Sequence, residues 1–142
     1  MNQQRLRVTI IIVVTILSVI SISSAETEIA EGYDENTEIK IKGTIIEIIQ
    51  GMRGPVILKL STGIKTYKVA TAPPWYLLRN SIVFEKDTLL EVTGSRYLAK
   101  DGNLYIIARQ VRNPVTGETT FFRDSSCRPL WRGHKMPRRF MP

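Results

Sequence analysis

Four soft metal ligands gather near the C-terminus of the chain, namely Cys127, His134, Met136 and Met141. Thiolate, imidazole and thioether groups suit Cu(I), so these residues are candidates for a metal site. Five basic side chains between residues 128 and 139 lie among them and would repel a cation. The spacing also matches no structural zinc pattern. We therefore expect neither a resident metal nor another cofactor.

The sequence lacks the patterns that nucleophilic or phosphate-transfer chemistry needs. His134 is the only histidine, and the chain has no glycine-rich phosphate loop and no Cys-x-x-Cys pair. Glu47 and Glu91 are the strand carboxylates that could form an acid–base pair. Solvated strand faces explain both residues better. The sequence therefore predicts a binding protein and not an enzyme.

Basic and aromatic side chains flank a Pro-Pro-Trp-Tyr segment that begins at Pro73. Those that we expect to bind a ligand are Lys59, Lys65, Lys68, Tyr76 and Arg79. An exposed aromatic ring beside an OB-type barrel can stack on bases or sugars, and neighbouring cations add charge. The alternative for this segment is structural, with the apolar side chains of Trp75, Leu77 and Leu78 plugging the open end of the barrel.

Trp131 and its neighbours form a second segment for which two roles are possible interpretations of the sequence. We expect Trp131 to pack back onto the barrel, and Asp124 to cap a turn or to pair with Arg123 or Arg128. A partner-docking role for Trp131 and Arg132 is the alternative, because Trp and Arg dominate interface hot spots.

The first 25 residues have the features of a secretory signal peptide. Arg5 and Arg7 precede an apolar run over residues 8–22, and Ser23-Ser-Ala25 supplies small residues before a cleavage site. The run spans 15 residues, whereas a membrane-spanning helix needs about 20. The sequence predicts a periplasmic or secreted protein, with an uncleaved N-terminal anchor facing outside as the alternative.

Charge is distributed unevenly along the remaining chain. Residues 26–36 are acidic and predict a flexible lead-in. Residues 26–122 contain 12 basic and 12 acidic side chains, whereas residues 123–142 contain six basic side chains and Asp124 alone. We expect a domain at residues 37–126 and a mobile basic tail at residues 127–142, which could touch a membrane surface transiently. A neutral body disfavours a nucleic-acid-binding face.

Short β-branched and apolar runs between turn signals predict an all-β fold. Strands are expected at residues 38–50, 56–61, 64–70, 89–94, 104–111 and 119–123, with a short helix at residues 75–80. The isoleucines of the first strand change phase, so a bulge is expected between Gly43 and Ile46. A helical insert after the third strand is typical of a small OB-like barrel with five or six strands. An open β-sandwich is the alternative.

Several segments together resemble small exported bacterial OB-fold proteins, most of them of unassigned function. They are the long first strand with Gly43, residues 73–77, residues 90–95 and residues 122–133. The most distinctive part is Arg123-Asp124 followed by Pro129-Leu-Trp-x-Gly133. The resemblance covers about residues 37–133, and it implies the fold and the exported location. Some members occur in bacteria rich in multihaem cytochromes.

The sequence thus predicts an exported, non-enzymatic OB-like module that binds a protein partner or an anionic polymer. One alternative is a protein that binds single-stranded nucleic acid without sequence preference. The other is an accessory protein for periplasmic redox or metal handling.

Overall fold

Six β-strands and one α-helix follow each other along residues 32–132, the part of the chain that the computed structural model describes. The strands are β1 (Glu38–Ile49), β2 (Ile57–Ser61), β3 (Thr66–Ala70), β4 (Leu89–Leu98), β5 (Leu104–Arg112) and β6 (Thr119–Phe121). Helix α1 is Pro74–Arg79, and a 3-10 turn at Glu35–Thr37 precedes β1. None of the helices in residues 32–132 has the length and apolar character to span a membrane. The predicted all-β class is confirmed.

Five of the strands close into a ring. Their order is β3-β2-β1-β4-β5, and β3 pairs with β5 in parallel from Lys68 opposite Tyr105 to Ala70 opposite Ile107. The other strand pairs are antiparallel, and β6 adds to β5 outside the ring. A closed ring with α1 between β3 and β4 agrees with the predicted barrel and not with an open sandwich.

Strand β1 bends, and the parts before and after the bend pair with different neighbouring strands. Its first part pairs with β4 up to Thr44, and its second part pairs with β2 from Thr44 to Ile49. The register shifts between Ile45 and Glu47, so the bulge lies at the predicted place. After this bulge, residues 47–49 have a strand partner on one side only within the described part of the chain.

The barrel interior is filled by alternating side chains of the strands. Ile45, Leu58, Leu60, Val69 and Val92 are all fully buried there. Because burial of such side chains is the main favourable term in folding, this cluster stabilises the ring without a disulfide.

Helix α1 covers one end of the barrel, as the structural alternative for this segment predicted. Trp75 and Leu77 are buried. The prediction for Leu78 is wrong, because this side chain is 60% exposed. Consecutive helical residues point about 100° apart, so a helix that directs Leu77 into the core turns Leu78 towards solvent.

Strand β4 continues four residues beyond its predicted end at Gly94. The register with β5 shifts between Thr93 and Gly94. A Cβ atom at Gly94 would lie 2.3 Å from the carbonyl oxygen of Ile107. Glycine therefore marks a close approach of β5 at a bulge within β4, and the strand does not end there as the sequence predicted.

The segment before β1 lies on the outer wall of the barrel. The backbone N–H of Asp34 donates to the buried Ser95 hydroxyl at 2.9 Å. Tyr33 packs on an outer cluster around Ala70 and Ile107. Residues 32–36 of the predicted flexible lead-in thus contact the barrel, while residues 26–31 and the predicted signal peptide fall outside the described residues.

Candidate functional site

The predicted ligand-binding residues do not converge on one face. Lys59 and Lys68 are direct cross-strand neighbours on β2 and β3. Lys65 lies in the β2–β3 hairpin, whereas Tyr76 and Arg79 lie on α1, which follows the opposite end of β3. The structure therefore brings together only the first two of these five side chains.

Lys59 and Lys68 each have a partner within the molecule. The Lys59 ammonium lies 2.6 Å from the Glu47 carboxylate. Lys68 Nζ donates to Asn103 Oδ1 at 3.3 Å and lies 5.7 Å from the ring centroid of Tyr105. A ligand would have to compete with both sets of contacts, so the charge available on this face is smaller than the sequence suggests.

Tyr76 is half-buried between two indole rings. Its ring centroid lies 6.1 Å from that of Trp75 and 5.6 Å from that of Trp131. Burial raises the pKa of the Tyr76 phenol above its ordinary value. Trp131 packs against the core cluster, and its neighbour Arg132 is exposed. The ring surface that Tyr76 could offer a stacking ligand is correspondingly small.

The strand carboxylates Glu47 and Glu91 are ion-paired residues on strand faces. Glu91 accepts a hydrogen bond from Arg112 at 3.2 Å, and the ammonium groups of Lys40 and Lys42 both lie 3.8 Å away. The hydrogen bond from Arg112 is the main cause that lowers the pKa of Glu91. Glu47 instead pairs with Lys59 of β2, so the two carboxylates belong to different sets of ion pairs.

An apolar groove lies beside α1, where residues 47–49 of β1 have a strand partner on one side only within residues 32–132. Ile48, Leu78 and Val83 line it and are 38%, 60% and 77% exposed. The remaining apolar lining residues are Val56, Pro74, Leu77, Ile82 and Phe84. The cavity has a volume of about 290 Å³.

The wall of this groove is built by the loop between α1 and β4. The backbone N–H of Ile82 donates to the carbonyl of Leu77 at 2.9 Å, and Ser81 has a φ of 55°. These features hold Val83 opposite the end of β1. The groove was not predicted from the sequence, although the phase change of the β1 isoleucines was the signal that could have revealed it.

A second cavity is enclosed by the loop after β6, which we call the arginine cavity. It has a volume of about 420 Å³, and Tyr33, Glu35, Arg123, Ser126, Arg128 and Arg132 are among its lining residues. The loop was expected to be basic from its sequence, but the cavity was not predicted.

Asp124 organises the loop that forms the arginine cavity. Its Oδ1 accepts hydrogen bonds from the backbone N–H groups of Ser126 at 2.8 Å and Arg128 at 3.0 Å. Its other oxygen lies 3.6 Å from Arg128 Nε, so the predicted cap and the predicted pairing both occur. Arg123 and Pro129 form a β-bridge across the loop.

Arg123 and Tyr33 form the inner wall of the cavity. Arg123 is 4% exposed, its guanidinium lies 4.9 Å from the ring centroid of Tyr33, and it donates to the carbonyl of Cys127 at 2.8 Å. Burial lowers the pKa of Arg123. The Tyr33 hydroxyl donates to Glu38 at 2.5 Å, and burial together with Glu38 holds the pKa of Tyr33 well above its usual range. Tyr33 therefore contributes an uncharged side chain to the cavity lining.

Cys127 joins the same cluster at the base of the loop. Its thiol donates to Glu35 Oε1 at 3.1 Å, and burial followed by Glu35 raises the pKa of the thiol. The other predicted soft ligands, His134, Met136 and Met141, lie outside the described residues. Within residues 32–132 no group of three His, Cys, Asp or Glu residues is placed to hold a metal ion.

The barrel matches a known protein family. Residues 37–116, more than half of the chain, match the MamS/MamX magnetosome protein family. The chain belongs to this family. The matched range contains all five strands of the ring and the whole apolar groove, but none of the residues named above for the arginine cavity. No curated protein matches the chain.

The family match refines the resemblance that the sequence analysis described. That resemblance was to small exported OB-fold proteins, and the β-rich architecture supports it at the level of fold class. The family identified here is a magnetosome protein family.

Proposed function

We propose that the chain is a non-enzymatic, OB-like binding module of the magnetosome, exported from the cytoplasm, that holds a protein partner in its apolar groove. The observation that carries the proposal is the exposure of Ile48, Leu78 and Val83 around one cavity. The family name supports the magnetosome as the place of action. The strand order, with α1 between β3 and β4, supports the OB-like assignment.

The groove has the features of a peptide-binding surface. Contiguous exposed apolar side chains on a soluble domain commonly mark an interaction site. The adjacent residues 47–49 of β1 have an unpaired edge in the described part of the chain. Such an edge can accept an added strand through its backbone groups. The partner that fits both features is an extended protein segment with apolar side chains at alternate positions.

The other predicted ligands receive less support from the contacts. Nucleic acid would need the cations of β2 and β3, and Lys59 and Lys68 are already engaged with Glu47 and Asn103. It would also need an open aromatic face, but Tyr76 packs against two tryptophans. The metal-handling alternative depends on Cys127 together with His134, Met136 and Met141, and the last three lie outside the described residues.

Site-specific photo-crosslinking in cells that make the full-length chain tests the proposal. A photoreactive residue at Val83 is compared with one at Leu98, which is similarly exposed at 69% but lies at the end of β4. We expect position 83, and not position 98, to crosslink one protein that mass spectrometry identifies. No crosslink at position 83, or the same crosslinks at both positions, would contradict the proposal.

A binding measurement with that identified protein completes the test. Leu78→Lys places a charge in the groove, and Leu98→Lys makes the same change on β4. We expect Leu78→Lys to weaken binding about tenfold or more, because one desolvated charge costs more than 1.4 kcal/mol. Leu98→Lys should leave the affinity unchanged. Equal affinities for the two variants would show that the groove is not the binding site.

A further inference from the structure

The arginine cavity carries an excess of positive charge among its lining residues. Arg123, Arg128 and Arg132 contribute three guanidinium groups to its lining, and Glu35 contributes one carboxylate. This excess is local, because residues 26–122 are neutral overall. A local excess of this kind attracts anions to the mouth of a cavity.

The acidic groups near the cavity are already engaged. Glu35 accepts a hydrogen bond from the Cys127 thiol at 3.1 Å. Asp124 Oδ1 accepts from two backbone N–H groups of its own turn. These carboxylates shape the loop. Asp124 also lies 3.6 Å from Arg128 Nε, and Arg128 and Arg132 are exposed residues of the lining.

The loop fixes Arg123 before any ligand arrives. Arg123 is buried and stacked on Tyr33, and the Arg123–Pro129 bridge closes the loop behind it. The backbone N–H of Leu130 also donates to the carbonyl of Phe122 at 3.0 Å, which anchors the loop to the core. A fixed arrangement lowers the entropic cost of binding.

We propose that the arginine cavity binds a phosphate group. Guanidinium forks match the paired oxygens of phosphate, and charge-assisted hydrogen bonds of this kind are stronger than neutral ones. Ser126 belongs to the same lining, and its hydroxyl is a further hydrogen-bond donor for phosphate oxygens. A volume of about 420 Å³ is within the range of small-molecule sites, so the cavity has room for the molecule that carries the phosphate. The site is separate from the groove and does not depend on the proposed function.

Titration of the full-length protein with inorganic phosphate in a constant chloride background tests this inference. Arginine side-chain NMR signals report the binding directly. We expect saturable shifts of the cavity arginines in the wild type. Arg128→Gln and Arg132→Gln should each weaken binding about tenfold, the loss of one charge-assisted hydrogen bond. Absence of saturable binding would overturn the proposal.

Two controls separate a phosphate site from general attraction to anions. Arg53→Gln removes the same charge from an exposed position in the β1–β2 turn, and we expect it to leave phosphate affinity unchanged. An equal loss in Arg53→Gln would show that net charge alone governs binding and would overturn the site. Acetate tests the ligand class, because equal affinity for acetate would contradict selectivity for phosphate.

Discussion

The guanidinium group of Arg123 lies 4.9 Å from the ring centroid of Tyr33. Tyr33 precedes β1 and Arg123 follows β6, so the contact joins the two ends of the described chain across the barrel wall. Glu38 extends this link, because it accepts from the Tyr33 hydroxyl and lies 3.3 Å from Arg109. The segment before β1 and the loop after β6 therefore stabilise each other.

Substitution of Tyr33 should reveal how much this contact contributes to stability. We expect Tyr33→Ala to lower the free energy of unfolding by about 3 kcal/mol, because it removes both ring packing and the cation–π contact. Tyr33→Phe keeps the ring and should cost only about 1 kcal/mol for the lost hydrogen bond. Urea unfolding measures both values. Equal losses in the two variants would show that the ring contact with Arg123 contributes nothing.

The reactivity of Cys127 should respond in opposite directions to its two charged neighbours. Burial and the hydrogen bond to Glu35 raise the pKa of the thiol, and Arg109 lowers it. Because only the thiolate reacts, the folded protein should alkylate more slowly at mildly alkaline pH than after unfolding. Glu35→Gln should speed the reaction and Arg109→Gln should slow it.

The pH dependence of the alkylation rate with iodoacetamide measures these effects. After unfolding in urea, both variants should alkylate at the same rate. This comparison controls for differences in reagent and thiol concentration. A common increase in both folded variants would mean that the substitutions open the loop. That result would contradict the electrostatic explanation.

Gly94 should tolerate no side chain. A Cβ atom there would meet the carbonyl oxygen of Ile107 at 2.3 Å, a contact that only backbone movement can relieve. We expect Gly94→Ala to cost about 3 kcal/mol of stability, at the upper end of the range for overpacking. Gly51→Ala is the control, since the nearest atom to its Cβ is 3.3 Å away. Thermal unfolding should show a clear loss of stability for Gly94→Ala and not for Gly51→Ala.

Periodicity predicted much of the fold because the relevant signals are local. The phase change in β1 placed the bulge near Ile45, and the prolines at residues 73 and 74 marked the start of α1. The predicted end of β4 at Gly94 was wrong, because β4 continues to Leu98 through a bulge at which the glycine permits a close approach of β5. That approach depends on Ile107, which is distant in sequence.

The candidate sites were less predictable because they depend on long-range contacts. Lys59 looked available in the sequence, but its Glu47 partner comes from the neighbouring strand. Tyr76 looked exposed, but Trp131 covers part of its ring. The arginine cavity depends on Tyr33 and the loop after β6 meeting on one wall. A periodic sequence pattern reports local structure and does not predict a contact between segments so distant in sequence.

Glu91 should make stability depend on pH in the acid range. The hydrogen bond from Arg112 and the nearby Lys40 and Lys42 favour the carboxylate, so the pKa of Glu91 is lower in the folded state than in the unfolded chain. A group of this kind stabilises the folded state above its unfolded pKa, and the contribution disappears as the pH falls through the folded value. Glu91→Gln should therefore be less stable than the wild type at neutral pH and approach it in stability at low pH.

Urea unfolding of both proteins from neutral pH down to the acid limit of folding measures this difference. Glu118→Gln is the control, because Glu118 is exposed in the β5–β6 turn and the structure gives it no ion pair within residues 32–132. Its stability should stay close to that of the wild type at neutral pH. A constant deficit in Glu91→Gln would mean that its three cationic neighbours contribute through packing of their aliphatic stems and not through charge. A deficit that grows as the pH falls would reverse the sign of the linkage and contradict the lowered pKa.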